Sequence, residues 1–572
     1  MKASALLPEW IRQYKPGDFR FDLMAGLTVG VMLIPQAMAY AMLAGIPPIY
    51  GLYASTFPAI VYGLLGSCRQ LSVGPTAMVS MLTASGASLI AQHDAGMYVF
   101  VVALISISVG LIQFILGVLR LGFLVQFLSS PVMLGFTSAA AIIIALSQVK
   151  YFLGLHYPQS QYIQDILYYL FQQITQTHIL TLCFGLASLT LLILLQRWRP
   201  KFPGALVAVI LSIGITYLLH LNEQGLSIIG SIPGGLPAVR LPLFDLELMK
   251  VIVPTSLAIA LISFMESTAV SHVLWSRHND YRVRHNRELI TIGLSNVVSG
   301  LLKASPVSGG MSRSMVNDQA GARTGLASII SAVLILLTLL LFTPLFYFLP
   351  HAVLASIILI AVYKLIRFRE AGDLWKLDRK DFWMMLATFL GTLTLGITTG
   401  IGIGVLLSLA WIIYETSYPH HAELGQVPDT RYYRNIRRFP NLIIAEGLLI
   451  YRFDASLFFA NANTFKNVLL DYKSQRSDPL HTILLDMESI NSIDTSALRI
   501  LEQIIQEMKL EKIDILLAEV KGPVRDKLFK SGLIQKLGDR HMFVTIHDAM
   551  RHVTGMEGHH LPDVAMQTNV PR

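Results

Sequence analysis

The stretch Ser305-Pro306-Val307-Ser308-Gly309-Gly310-Met311-Ser312-Arg313-Ser314 interrupts sequence that is otherwise apolar enough for lipid. Proline and glycine break a helix, and open backbone at membrane depth survives only where protein or a water-filled cavity covers it. A second interruption, Leu71-Ser72-Val73-Gly74-Pro75-Thr76-Ala77, lies in the other half of the chain. Such breaks at matching positions of two halves point to a transporter of inverted repeats, with its site between half-helices. Arg313 stands in the second break, so the cargo expected there is an anion.

Composition agrees with a membrane protein. Of 572 residues, 53% are hydrophobic and 14% charged, with a mean hydropathy of +0.57; soluble domains carry about 25% charged residues. Apolar spans read near 21–45, 50–66, 75–91, 97–118, 122–149, 178–196, 203–221, 251–273, 286–302, 311–322, 325–349, 351–365, 381–397 and 400–418. Several fall short of the roughly 20 residues needed to cross a bilayer, as broken helices would. Residues 1–20 include Glu9, Arg12, Lys15 and Asp18 without a long apolar core, so they read as a cytoplasmic segment and not a cleaved signal.

With the N-terminus inside, the cytoplasmic loops hold Arg69, Arg120, Arg277, Arg282, Arg284, Arg287, Arg323, Lys364, Arg367 and several more, against Lys150, Arg240, Lys250 and Lys303 outside. That bias, roughly four to one, satisfies the positive-inside rule and puts both termini in the cytoplasm of a cell with this chain in its inner (plasma) membrane. The net charge of +8 belongs to these loops, and no nucleic-acid partner is expected. Cys68 and Cys183 make neither a disulfide framework nor a metal spacing. No Walker motif, dinucleotide fingerprint or zinc spacing is present, so an enzyme, a cofactor and an ATP-driven pump are not expected.

The physical reading of the breaks is specific. Half-helices starting near Pro75 and Met311 each offer unpaired N–H groups and about half a positive charge from the helix dipole. That is an anion seat without any side-chain cation. It places Thr76 and Ala77 at one terminus, and Ser308, Met311, Ser312 and Arg313 at the other. Gln36 and Tyr40 lie four apart, on one helix face beside Pro35, suited to donate to the anion and to wall its pocket. A buried arginine is costly unless paired, so Arg313 either raises the potential for the anion or pairs with Glu266. Glu266 is the single acid of the apolar run around 261–268 and suits proton coupling, because its protonation would offset the anion's charge. The structural alternatives are packed kinks and a plain Glu–Arg pair.

These residues also carry a resemblance. Ile34-Pro35-Gln36-Ala37-Met38-Ala39-Tyr40-Ala41, followed by Ala44-Gly45-Ile46-Pro47-Pro48-Ile49-Tyr50-Gly51-Leu52-Tyr53, resembles the first-helix signature of the SulP (sulfate permease) family. Ser72-Val73-Gly74-Pro75 resembles its third-helix break. Pro306 to Ser314, continuing through Val316-Asn317 and Gln319 to Thr324, is similar to its tenth-helix signature, with Met311 where the family often has Phe and Gly310 where it has Ser. The resemblance implies an all-α polytopic membrane domain of fourteen segments in a 7+7 inverted repeat, the uracil-transporter-like fold. Segments one to four and eight to eleven would form a mobile core, and five to seven and twelve to fourteen a gate, in a homodimer working by an elevator movement. Glu266 matches the family's eighth-helix acid, which some relatives replace by Asp in a sodium site, so the coupling ion is a proton or sodium.

The domain order expected is 1–20 cytoplasmic, 21–418 membrane, 419–440 linker, 441–554 a cytoplasmic α/β domain that resembles a STAS domain, and 555–572 a flexible tail. Within the STAS region strands read at 442–445, 448–453, 481–487, 513–519 and 542–545, alternating with helices near 461–473, 495–509 and 523–530. Ser496 occupies the place of a phosphorylatable serine in soluble relatives, whereas Asp494 reads more simply as a helix cap. Arg431, Arg434, Arg437 and Arg438 suit anionic lipid headgroups or a solvated linker. The expected function is secondary active transport of an inorganic oxyanion, sulfate by proton symport first. Bicarbonate or dicarboxylate transport, exchange, a channel, or an anion sensor acting through a STAS partner are the alternatives.

Overall fold

The computed structural model describes residues 9–555 apart from 89, 92–93, 124–128, 158–159, 161, 199–202, 232–234, 236–245, 279–280 and 539. The expected tail, and the loop charges at Arg199, Lys201 and Arg240, therefore lie wholly or almost wholly outside the described residues. The chain forms two compact units that divide between Ser408 and Leu409.

The first unit is helical. Among the described residues, eight helices are long and apolar enough to cross a membrane: Asp18–Leu43, Pro48–Leu65, Gly96–Val118, Ser130–Leu153, Ile179–Trp198, Leu248–His278, His351–Leu377 and Thr399–Ser417, the last shared with the boundary. Gly204–Leu218 and Leu326–Leu341 are shorter apolar helices. With no water in the bilayer, a helix satisfies its own backbone, which is why these spans take no other form. Small residues bring the helices together, as membrane packing requires. A Cβ at Gly110 would stand 2.6 Å from the Gly293 carbonyl oxygen, and one at Gly300 would stand 2.6 Å from that of Ala103. Helix His285–Leu301 thus lies directly on helix Ala95–Val118 and delivers the chain into the second break.

The breaks themselves do more than interrupt. Val73–Gly74 forms strand β1 and Ser308–Gly309 forms β2, paired antiparallel with Val73 opposite Gly309 and Gly74 opposite Ser308. The Gly310 N–H extends the ladder to the Ser72 carbonyl at 3.1 Å. Helix Ala77–Ser88 leaves β1 and helix Met311–Gln319 leaves β2. Buried side chains hold the junction: the Ser72 N–H donates to Ser314 Oγ (2.9 Å), the Val307 N–H to Asn296 Oδ1 (2.6 Å) and the Gly309 N–H to Ser267 Oγ (2.8 Å).

Two buried carboxylates brace the surrounding loops. Glu288 accepts from the Tyr62 hydroxyl (2.6 Å), the Ser67 N–H (2.7 Å) and the Ser67 hydroxyl (2.6 Å). Asp22 accepts from the N–H groups of Arg323 (2.8 Å) and Thr324 (3.0 Å) and from the Thr324 hydroxyl (2.6 Å).

The second unit is built on a six-stranded sheet. Its strands are β3 (His421–Gln426), β4 (Tyr433–Asn435), β5 (Leu448–Phe453), β6 (Thr482–Asp486), β7 (Asp514–Ala518) and β8 (Met542–Phe543), in the order β4-β3-β5-β6-β7-β8. β5 to β8 run parallel, and β3 is antiparallel to both neighbours. Helices Ala462–Ser474 and Thr495–Leu510 cover the sheet with apolar faces that include Phe465, Leu469, Leu501 and Ile504. Two readings of the sequence are corrected here. Residues 419–440 are not a plain linker, because β3 and β4 lie within them and extend the sheet. The strand expected at 442–445 is reduced to a single bridge between Ile443 and Gln426.

Candidate functional site

A cavity of about 1150 Å³ lies inside the first unit, next to the paired breaks. Gln36, Tyr40, Thr76, Ala77, Glu266, Met311, Ser312 and Arg313 all line it. Ser308 stands behind this lining and reaches the site through Glu266. Residues some 275 positions apart in sequence meet here because the β1–β2 pairing sets the two half-helix starts side by side.

At both starts the backbone is open. The first hydrogen bond of helix Ala77–Ser88 runs from the Ser80 N–H to the Thr76 carbonyl, and that of helix Met311–Gln319 from the Ser314 N–H to the Gly310 carbonyl, each at 2.9 Å. No side chain caps the second helix at Gly310. The earlier N–H groups have no acceptor within their helices, and the positive dipole ends lie with them.

Arg313 is 1% exposed. Its Nη1 donates to the Pro75 carbonyl at 2.7 Å, tying one break to the other, while Nε and Nη2 are buried without a hydrogen-bond partner among the described residues. Glycine makes room for this guanidinium. A Cβ at Gly310 would stand 2.8 Å from Arg313 Cζ, and one at Gly74 would stand 3.4 Å from Nη2.

Glu266 is held differently. Its Oε2 accepts from the Thr76 hydroxyl at 3.0 Å and the Ser308 hydroxyl at 2.9 Å, one from each break. The Glu266–Arg313 ion pair weighed in the sequence does not form among the described residues: the carboxylate takes hydroxyl donors and the guanidinium takes a carbonyl. Gln36 Nε2 donates to the Tyr40 hydroxyl at 2.9 Å, and its Oε1 is buried without a partner. The face shared by Gln36 and Tyr40 is therefore closed by their mutual bond, with one amide hydrogen left for another acceptor.

The opposite wall was not found from sequence. Met133, Leu134 and Thr137 on helix Ser130–Leu153, and Ile357 and Ile360 on helix His351–Tyr363, complete the cavity. They are ordinary helix residues, apolar apart from Thr137, and nothing in their local sequence separates a pocket wall from a packing face.

Residues 19–388 match the sulfate permease family. The chain belongs to the sulfate permease family. Residues 439–549 match the STAS domain, so this sulfate permease homologue pairs a multi-pass anion-transporter unit with a STAS domain and is not an enzyme. It is 37% identical to sulfate transporter 4.1, chloroplastic, of Arabidopsis thaliana, over 95% of this chain and 81% of that protein. A probable sulfate transporter of Mycobacterium tuberculosis is 33% identical over 94% of this chain and 96% of its own length. The solved structure of the murine Solute Carrier 26 family member A9 anion transporter in the inward-facing state superposes with a TM-score of 0.90 at 26% identity, covering 97% of this chain and 95% of that one. The transmembrane domain of the cyanobacterial bicarbonate transporter BicA matches with a TM-score of 0.61 at 25% identity, over 71% of this chain and all of that one.

In the STAS domain, Ser496 is exposed on the first turn of helix Thr495–Leu510. Asp494 caps that helix, its Oδ1 accepting from the Ala497 N–H at 2.8 Å while Oδ2 accepts from the Phe459 N–H at 2.9 Å.

Proposed function

We propose that this sulfate permease homologue imports an inorganic oxyanion, sulfate first, by proton symport, and holds it between the two opposed half-helix N-termini. The observation that carries this reading is the half-satisfied guanidinium of Arg313, buried beside two half-helix starts, the second without a side-chain cap, at the edge of a cavity. Leaving two guanidinium nitrogens unbonded is costly, and an oxyanion accepting from them and from the helix N–H groups removes that cost. The relatives named as sulfate transporters support sulfate as the cargo.

Glu266 is the coupling group in this reading. It spans both breaks through Thr76 and Ser308, so its protonation changes the charge of the site and the bonding of both half-helices at once. The breaks, with helices Asp18–Leu43 and Leu246–His278, would move as a core against a gate that includes helices Ser130–Leu153 and His351–Tyr363, in an elevator movement. The fourteen-segment inverted repeat, a homodimer, cytoplasmic termini in the plasma membrane, a cytoplasmic partner for the STAS domain and a regulatory role for Ser496 belong to the same proposal.

The test is labelled sulfate uptake into proteoliposomes under an imposed pH gradient, a sodium gradient, or neither. Saturable, concentrative, pH-driven uptake is expected, and Glu266→Gln should lose the pH dependence while keeping sulfate exchange. Sodium-driven uptake would overturn proton coupling. An absence of sulfate flux under every gradient would overturn sulfate, and bicarbonate is then measured in the same vesicles.

A further inference from the structure

The cavity does not end at Arg313. It continues to a mouth lined by Gly122, His272, His285, Lys364, Arg367 and Glu370. His272 lies near the end of helix Leu246–His278, His285 begins helix His285–Leu301, and Lys364 follows helix His351–Tyr363. The imidazoles of His272 and His285 stand 5.0 Å apart, tilted by 36°. Neither ring forms a hydrogen bond or ion pair with a described residue; the other ring neighbour of His272 is Trp275, edge-on at 6.2 Å.

Three further features favour an anion at this pair. Arg284 supplies no side-chain cap to helix His285–Leu301, and the positive dipole end of that helix lies at His285. The carboxylate lining this mouth, Glu370, is paired with Arg367 at 3.2 Å, which leaves Lys364 to set the charge of the facing wall. Gly122 keeps side-chain bulk away from the pair: a Cβ there would stand 2.6 Å from Asn286 Oδ1, which accepts from the Gly122 N–H at 2.9 Å, and 3.2 Å from the Cβ of His285. Every imidazole tautomer carries an N–H donor, and one tetrahedral oxyanion spans two rings at this separation.

We propose that His272 and His285 form a second anion site at the mouth of the cavity, a staging point for a tetrahedral oxyanion between the aqueous face and the central site. Its role as a waypoint rests on the transport reading above; its existence rests on the histidine pair.

The direct test titrates sulfate into the full chain in nanodiscs with ¹⁵N-labelled histidine, at ionic strength held constant with gluconate. His272→Gln and His285→Gln assign the two signals. Both are expected to shift saturably with a common half-point, in the wild type and equally in Arg313→Ala. No sulfate-dependent shift overturns the site. A shift that vanishes in Arg313→Ala also overturns it, because the rings would then only report the central site. A protein that carries no sulfate in proteoliposomes but retains these shifts would lose the transport reading and keep the site. In oriented proteoliposomes, His272→Gln/His285→Gln should raise the half-saturating sulfate concentration about fivefold on the side of this mouth. The value on the other side should stay unchanged, and an equal change on both sides contradicts a staging site.

Discussion

Among the buried charged groups of the membrane unit, two sets differ in how completely they are bonded. Around Asp22 and Glu288, each fully buried carboxylate is met by three donors, and both tie loops to neighbouring helices. Around Arg313 and Glu266 the bonding is partial. Two guanidinium nitrogens and the Gln36 oxygen have no partner, and Glu266 is held through one oxygen. Complete bonding is the normal condition of buried polar groups. Where it fails beside a cavity, stability has been given up at a place a ligand can complete. The difference separates a brace from the proposed binding site, although both are buried charges in apolar helices.

The sharpest way to break that distinction is Glu288→Ala. It strands the Tyr62 hydroxyl and both Ser67 donors, and should destabilise the protein by about 4 kcal/mol, read as a large fall in the thermal midpoint in detergent. A midpoint near the wild type would mean the brace carries no weight. Arg313→Ala should do the reverse. Transport should drop about a hundredfold, near 2.7 kcal/mol, with a much smaller thermal change, because the guanidinium makes a single hydrogen bond among the described residues. Equal thermal losses in the two variants would erase the contrast.

The STAS domain sharpens the comparison at smaller scale. Asp486 is 3% exposed beside Glu488 and Glu519, and burial pushes its carboxyl from the ordinary 3.8 up to about 6. A raised acid favours the folded state in its protonated form. That contribution is complete below the ordinary value and is lost as pH rises towards 6. Asp486→Asn should therefore raise stability above pH 7 by about 3 kcal/mol and leave it nearly unchanged below about pH 3.8, checked by denaturation across pH. Asp494, by contrast, has both oxygens bonded as a cap. Asp494→Ala should cost about 1 kcal/mol, seen as faster amide exchange at the start of helix Thr495–Leu510.

Much of this arrangement is legible in the sequence, and the limits have physical causes. Pro75, Gly309 and Gly310 mark the breaks because they are incompatible with a continuous helix, and Arg313 and Glu266 stand out because charge is rare in apolar spans. The pairing of Val73-Gly74 with Ser308-Gly309 is not legible, since two residues carry no alternation and their partner is over 230 positions away. The bracing role of Glu288 is hidden for a similar reason: its partners, Tyr62 on helix Phe57–Leu65 and Ser67 just after it, lie more than 220 positions away. In the STAS domain, His421–Gln426 mixes apolar and polar residues too briefly to read as a strand. It becomes one because β5 offers an edge to pair with.

The central claim is that the anion sits between the two half-helix starts. Crystals of the full chain grown with selenate, a heavier stand-in for sulfate, test it through the anomalous signal of selenium. The account predicts a peak between the N-termini of helices Ala77–Ser88 and Met311–Gln319, within reach of the free Arg313 nitrogens. A peak elsewhere in the cavity, with that place empty, would contradict it.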